Sequence, residues 1–311
     1  MRIWLHLGLI TITLLFANCR PEETAREHLN FPLAQPEVLQ RLENVDRIHS
    51  IGIPVYLNAE RMRQQFSPIA EHLSRVTGVP LEFKYAETYR QLIDSLAAGE
   101  SQFAVLPPYA FVLADEEISD LRLLATQVAE GSTHFRGYIV ANSESGIKTL
   151  QDLAGKPFAF VEENSTTGHV LAVHRLHSSG IIPDQFFSEI RWSGTHDKCL
   201  DWIIEGKVSA GAVYSGAIRA AAKRGVSASQ FTILERTGLI PYDAWVASPK
   251  VDSQVSDVLQ AALLQLSTAT PEGRQVLGRG LAINGWVRGD RGGYDVLQEA
   301  HRLHRQNRES K

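Results

Sequence analysis

Phe158-Ala159-Phe160-Val161-Glu162-Glu163-Asn164-Ser165-Thr166-Thr167-Gly168-His169 reads as a buried strand that runs into three consecutive hydroxyl residues and a helix start. A short apolar run bounded by turn residues suits a strand covered on both faces, and a hydroxyl residue ahead of a helical pattern is a preferred N-cap. The same unit recurs on either side. Upstream, the β-branched segment 48–56 precedes Met62, Phe66, Ile69, Leu73 and Val76, spaced three or four apart until Gly78-Val79-Pro80 stops the helix. A strand at 81–85 follows, then a helix at 89–98 with Leu92, Ile93 and Leu96 on one face, and a strand at 103–106 ended by Pro107-Pro108. After an apolar segment at 121–128, a second series starts at 137–141 and includes a short helix near 147–153. Beyond the opening stretch come a strand near Ile190, a helix at 195–205, and strands at 209–214 and 242–247. Val255, Val258, Leu259, Ala262, Leu263 and Leu266 mark a long amphipathic helix, with further helical patterns at 273–277 and 294–301. Alternation of this kind predicts an α/β protein, and two lobes of about 90 to 110 residues with a helical tail fit the usual domain size.

The chemistry gathers at the helix starts. At Ser165-Thr166-Thr167-Gly168, unpaired N–H groups and side-chain hydroxyls would converge on one point, an uncharged cradle suited to phosphate-like groups. The same residues also suit an ordinary cap. Trp192-Ser193-Gly194-Thr195-His196-Asp197-Lys198 repeats the arrangement. Thr195 can cap its helix, and His196 adds a donor whose charge can respond to an anion. Asp197 has three open roles: accepting the proton of a monoprotonated oxyanion, orienting His196, or favouring the positive helix end. Tyr56, Tyr89 and Tyr109 in the first lobe and Tyr214 in the second lie at strand ends or a helix start, where a tyrosine can close over an oxyanion or simply pack.

The N-terminus speaks to compartment. Met1-Arg2-Ile3-Trp4-Leu5 opens an apolar run to Ala17 that is too short for a comfortable span and shaped like a secretory signal. Residues 1–18 are therefore expected to be a signal peptide. Cys19 stands where bacterial lipoprotein signals place the acylated cysteine, so 19–47 is expected to be a lipidated N-terminus and tether, with a secreted soluble form as the alternative. Cleavage there leaves Cys199 with no partner for an intramolecular disulfide.

Composition and missing motifs remove other classes. With 31 basic against 35 acidic side chains and a net charge of -4, the chain has no global cationic field, and nucleic acid is not an expected partner. No Walker loop, dinucleotide fingerprint or Gly-x-Ser-x-Gly elbow is present, and Ser145-Gly146-Ile147-Lys148 lacks the triplets that accompany a serine acylase. His169, His174 and His177 show no zinc-protease pattern, so no metal is expected. Ser165, His196 and Asp197 invite a triad, but no base–nucleophile geometry follows from sequence. No catalytic residue and no cofactor is assigned.

These residues resemble the substrate-binding proteins of phosphate, phosphite and phosphonate ABC importers. The resemblance runs from about Ile51 to Leu266 and is densest in Gly137-Tyr138-Ile139-Val140, Ser145-Gly146-Ile147, Leu150-Gln151-Asp152-Leu153-Ala154-Gly155-Lys156, Phe158-Ala159-Phe160, Ser165-Thr166-Thr167-Gly168 and Gly194-Thr195-His196-Asp197. It implies a two-lobed periplasmic-binding-protein-like fold of type II, with crossing strands, a ligand cleft between the lobes, and closure on binding. Lobe 1 would comprise 48–135 plus 242–311, and lobe 2 would comprise 136–241. Carried over by position, Ser165, Thr166 and Thr167 would hold phosphoryl oxygens, Thr195 and His196 would complete the shell, and Tyr109 would face it. The commoner pattern has Asp-Pro before the hydroxyl run, serine third within it, and Gly-Ser-His-Asp. Here these are Glu163-Asn164, Thr167 and Thr195, so the preferred phosphorus compound does not follow. No clear acid on the Tyr214-Ser215-Gly216 turn stands ready for a ligand amine. The implied role is a monomeric extracytoplasmic receptor on the outer face of the membrane that delivers its anion to a permease driven by a separate ATPase. A periplasmic sensor subunit is the alternative, and a phosphate-ester hydrolase the remaining one.

Overall fold

The computed structural model describes residues 41–43, 45–278 and 282–309, so the signal, Cys19 and most of the tether lie outside the described residues. Lobe 1 begins with β1 (His49–Pro54), α1 (Ala59–Thr77), β2 (Leu81–Ala86), α2 (Tyr89–Ala98), β3 (Phe103–Leu106), α3 (Pro108–Glu117) and β4 (Arg122–Ala129). The chain crosses through β5 (His134–Phe135) into lobe 2, which holds β6 (Gly137–Asn142), β7 (Pro157–Phe160), α4 (Leu171–Ser178), α5 (Pro183–Phe186), β8 (Glu189–Trp192), α6 (His196–Ile204), β9 (Ala210–Tyr214), α7 (Ser215–Ala222) and β10 (Phe231–Arg236). It returns through β11 (Ile240–Pro241) to β12 (Ala244–Ala247), α8 (Ser253–Gln265), α9 (Pro271–Leu277), β13 (Ile283–Arg288) and α10 (Gln298–Glu309).

Two sheets result, ordered β13-β4-β12-β3-β1-β2 and β10-β6-β9-β7-β8, while the crossing segments β5 and β11 pair antiparallel. Returning β12 inserts between β3 and β4, antiparallel to both, and so completes the first sheet. Alternating side chains fill both faces of each sheet. In lobe 1, Ile51, Phe103, Val105 and Trp245 pack under α1 and α8, while Ala104, Leu106 and Val246 face α2 and α3. In lobe 2, Ile139, Phe158 and Phe160 meet α4, whereas Val140, Ala159 and Val161 meet α6 and α7.

Three departures from the expected elements have local causes. Helix α3 shows no one-sided period because its Pro108-Tyr109-Ala110-Phe111-Val112 start is buried all round; Pro108 nevertheless suits the first helical position. Instead of a helix near 147–153 there are two single 3₁₀ turns, Ser143–Ser145 and Gln151–Leu153. Asp152 accepts the N–H groups of Lys148 and Thr149 at 3.0 and 2.9 Å, and that side-chain turn competes with helical bonding. The helix after Ser165 opens as a π turn, Thr166–Val170, with the Val170 N–H reaching back to the Ser165 carbonyl at 3.0 Å. Such turns are frequent at functional sites.

Candidate functional site

In open α/β sheets the loops beyond the carboxyl ends of the strands form the ligand crevice. Here the ends of β1, β7, β8 and β9 carry Tyr56, Glu162 to Thr167, Thr195 to Asp197, and Tyr214.

The first helix start is folded tightly. Ser165 caps it, its Oγ accepting the Gly168 N–H at 3.2 Å, while the Gly168 carbonyl accepts the Val161 N–H. Any Cβ at Gly168 would lie 2.6 Å from that of Val161, so glycine is what lets the turn fold back on its own strand. Gly137 serves the same closeness from β6, since a Cβ there would meet Thr167 at 3.0 Å. Ser165, Thr166 and Thr167 are all buried. Helix geometry leaves the N–H groups of Thr166 and Thr167 without carbonyls of their own turn.

Lobe 1 reaches this turn directly. Thr166 Oγ1 accepts the Tyr109 backbone N–H at 2.9 Å. Tyr109 therefore meets the site through its main chain: its ring is buried and its hydroxyl lies 3.0 Å from His301 Nδ1 on α10. Tyr89 is also buried, and Ser165 is among the groups that act on its hydroxyl.

At the second helix start, Thr195 Oγ1 caps α6 by accepting the Lys198 N–H at 3.2 Å. His196 Nδ1 accepts the Tyr214 N–H at 3.3 Å, and the two rings meet edge to face at 4.9 Å. Burial pushes the His196 pKa down to about 3, so at neutral pH the ring is uncharged. With Nδ1 accepting, the proton sits on Nε2 as a neutral donor. Asp197 Oδ2 accepts the Asn58 backbone N–H from lobe 1 at 3.2 Å, and its other oxygen faces Arg224 at 3.3 Å. Because the His196 ring is already oriented by Tyr214, Asp197 is not what orients it.

Tyr56 stands edge-on to Tyr214 at 6.5 Å. Burial is the main cause that holds the hydroxyls of Tyr56, Tyr89 and Tyr214 protonated well beyond their ordinary range. Sequence reading missed two carboxyl groups in this neighbourhood. Glu162, at the exit of β7, has its pKa raised to about 7, chiefly by burial and further by Glu163, against the opposing hydrogen bond from the Asn164 N–H. Asp243, between the paired β11 and β12, is likewise raised to about 7 by burial, and it acts electrostatically on Tyr56, Tyr89 and Tyr214. The available signal was a lone acid inside the apolar run Ile240-Pro241-Tyr242-Asp243-Ala244-Trp245. His169 and His174, by contrast, pack elsewhere, against Trp192 and Glu299. Among the described residues no three His, Cys, Asp or Glu side chains gather as metal ligands. The arrangement offers hydroxyls, helix-start N–H groups and a neutral imidazole, which can hold an oxyanion by hydrogen bonds.

Comparison with known proteins fits this geometry. The family described as "ABC transporter, phosphonate, periplasmic substrate-binding protein" matches residues 51–294. The phosphate-import protein PhnD of Mycolicibacterium smegmatis is 23% identical over 219 residues, covering 67% of this chain and 68% of its own. The tetrathionate sensor histidine kinase TtrS of Salmonella typhimurium is 25% identical over 170 residues, which are 53% of this chain and 28% of the kinase. Among solved structures, PhnD1 of Prochlorococcus marinus (MIT 9301) in complex with methylphosphonate has a TM-score of 0.75 at 17% identity, covering 82% of this chain and 97% of that one.

Proposed function

This chain belongs to the periplasmic substrate-binding proteins of phosphonate ABC transporters, and from that premise we propose that it captures phosphate, phosphite or a phosphonate between its lobes and hands it to a membrane permease. The observation that carries the reading is the pairing of two hydroxyl-capped helix starts in lobe 2 with lobe 1 groups that touch them, above all the Tyr109 N–H on Thr166. In this account the N–H groups of Thr166 and Thr167, the hydroxyls of Ser165, Thr166, Thr167 and Thr195, and His196 Nε2–H hold the anion, while Tyr56, Tyr89 and Tyr214 close over it and exclude water. No covalent step is involved, and binding energy is spent on holding the lobes together. The lobes, 48–135 with 242–311 and 136–241, would rotate about the β5–β11 crossing. Import energy would come from a separate ATPase. The body would work as a monomer in the periplasm or at the outer face of the cytoplasmic membrane, tethered through acylated Cys19.

Calorimetric titration of protein unfolded and refolded to strip carried ligand, against phosphate, phosphite, methylphosphonate and 2-aminoethylphosphonate in phosphate-free buffer, tests this reading. One-to-one binding of one of them is expected, and no heat with any of them would sink it. A sensor subunit using the same cleft is the second reading, favoured by the partial match to TtrS. Copurification with a histidine kinase in place of a permease would select it.

A further inference from the structure

Asp197 is a buried carboxylate that reaches from one lobe to the other. It is the second residue of α6 in lobe 2, yet its Oδ2 accepts the N–H of Asn58, the N-cap of α1 in lobe 1. Oδ1 faces Arg224, just beyond α7, whose guanidinium also donates to Asp201 at 3.0 and 3.1 Å. One negative charge thus lies between the positive ends of two helices from different lobes and a guanidinium held by a third element. Neighbouring contacts form a seam on the same side. The His196 N–H donates to the Tyr56 carbonyl at 3.1 Å, and Arg61 Nη1 donates to the Ala220 carbonyl at 3.1 Å. Across the cleft, the Tyr109 N–H on Thr166 is a separate interlobe bond that Asp197 does not touch.

We propose that Asp197 is the closing pin of the cleft, a positioning residue that sets how long the lobes stay together and acts on the ligand only through that lifetime. Oδ2 is committed to Asn58, whereas Oδ1 makes no hydrogen bond and lies only in the field of the Arg224 guanidinium at 3.3 Å. When the lobes part, the charge keeps Arg224 and loses the Asn58 N–H, so each opening breaks a charge-assisted hydrogen bond. The effect on affinity rests on the proposed oxyanion site, whereas the effect on opening does not.

The test is amide hydrogen exchange of the ligand-free full chain, comparing wild type, Asp197→Asn and Arg224→Gln. Asp197→Asn keeps the shape and removes the charge. It should speed exchange at the remote Tyr109 N–H about tenfold, with a smaller change in Arg224→Gln and an unchanged melting temperature. Methylphosphonate, if wild type binds it, should leave Asp197→Asn about tenfold faster at a nearly unchanged on-rate. Faster exchange confined to Asn58 and the α6 segment, with Tyr109 unaffected, would overturn the pin and reduce Asp197 to a local support of lobe 2. A wild type that binds none of the phosphorus anions would sink the ligand reading and leave the exchange comparison to decide the pin.

Discussion

The two hydroxyl-bearing helix starts of lobe 2 follow one plan and use it differently. At the first, cap and neighbours are all buried, and contact with lobe 1 is made by a side chain, Thr166 Oγ1, that accepts a main-chain N–H. At the second, the cap Thr195 stays half-exposed, and contact runs in both directions, with the His196 N–H donating to Tyr56 and the Asp197 carboxylate accepting from Asn58. The first start is therefore suited to hold, and the second to hold and close. Capping does not by itself exclude binding in either place: Ser165 and Thr195 each satisfy one N–H of their helix through an oxygen, which leaves the hydroxyl hydrogens for the proposed ligand.

Substitutions at the first start should cost most. Thr166→Ala removes a hydroxyl from the anion and strands the buried Tyr109 N–H, which costs about 1–3 kcal/mol by itself. Affinity for the best phosphorus ligand should fall roughly 100-fold by calorimetry, with a lower melting temperature, and Thr166→Ser should restore most of both. Equal affinity in Thr166→Ala and wild type would remove the first start from the site. At the second start, His196→Ala should weaken binding about 10- to 50-fold, the lower part of the range of a hydrogen bond to a charged group. Because the ring is neutral down to about pH 3, its contribution should not grow as pH falls from 8 to 5.5. A wild-type affinity that rises around pH 6.5 and levels off in His196→Ala would mean that the ring charges on binding.

Glu162 and Asp243, which both act electrostatically on Tyr89, are the groups expected to set the pH response. Each is raised to about 7 in the fold, so the folded chain keeps protons that an unfolded carboxyl releases near pH 4. Their contribution to stability is complete below about pH 4 and is lost as pH rises through about 7. An anion prefers them neutral, so affinity for methylphosphonate should drop up to about fivefold for each group between pH 7 and 8. Glu162→Gln and Asp243→Asn should each flatten that slope and raise the melting temperature at pH 8 more than at pH 5. A ligand carrying an ammonium group would show the opposite slope, which makes the profile a discriminator between methylphosphonate and 2-aminoethylphosphonate.

What could be read from residues alone follows from how local each signal is. The β7 strand, its turn and the caps Ser165 and Thr195 depend on neighbours within a few positions, and spacing exposes them. Asp243 depends on which segments the crossing strands bring together, so it looks like an interruption in an apolar run until β12 is seated between β3 and β4. Tyr109 misleads in the other direction. Its hydroxyl is the obvious candidate, yet the fold presents the N–H and buries the ring against α10, a helix almost two hundred residues away in the chain. Helix α3 is hidden from periodicity because burial on all sides erases the period.

Thr195 offers the finest separation of capping from holding. Its Oγ1 accepts the Lys198 N–H at 3.2 Å, and loss of such a cap costs about 1 kcal/mol, so Thr195→Ala should lower the melting temperature by a few degrees at most. The hydroxyl hydrogen is not used in that bond and remains able to donate to an anion. If it does, Thr195→Ala should also weaken binding several-fold and Thr195→Ser should keep both properties. Stability lost with affinity intact would confine Thr195 to its helix. The second start would then hold its ligand through His196 alone, and the likeness between the two starts would be one of folding and not of binding.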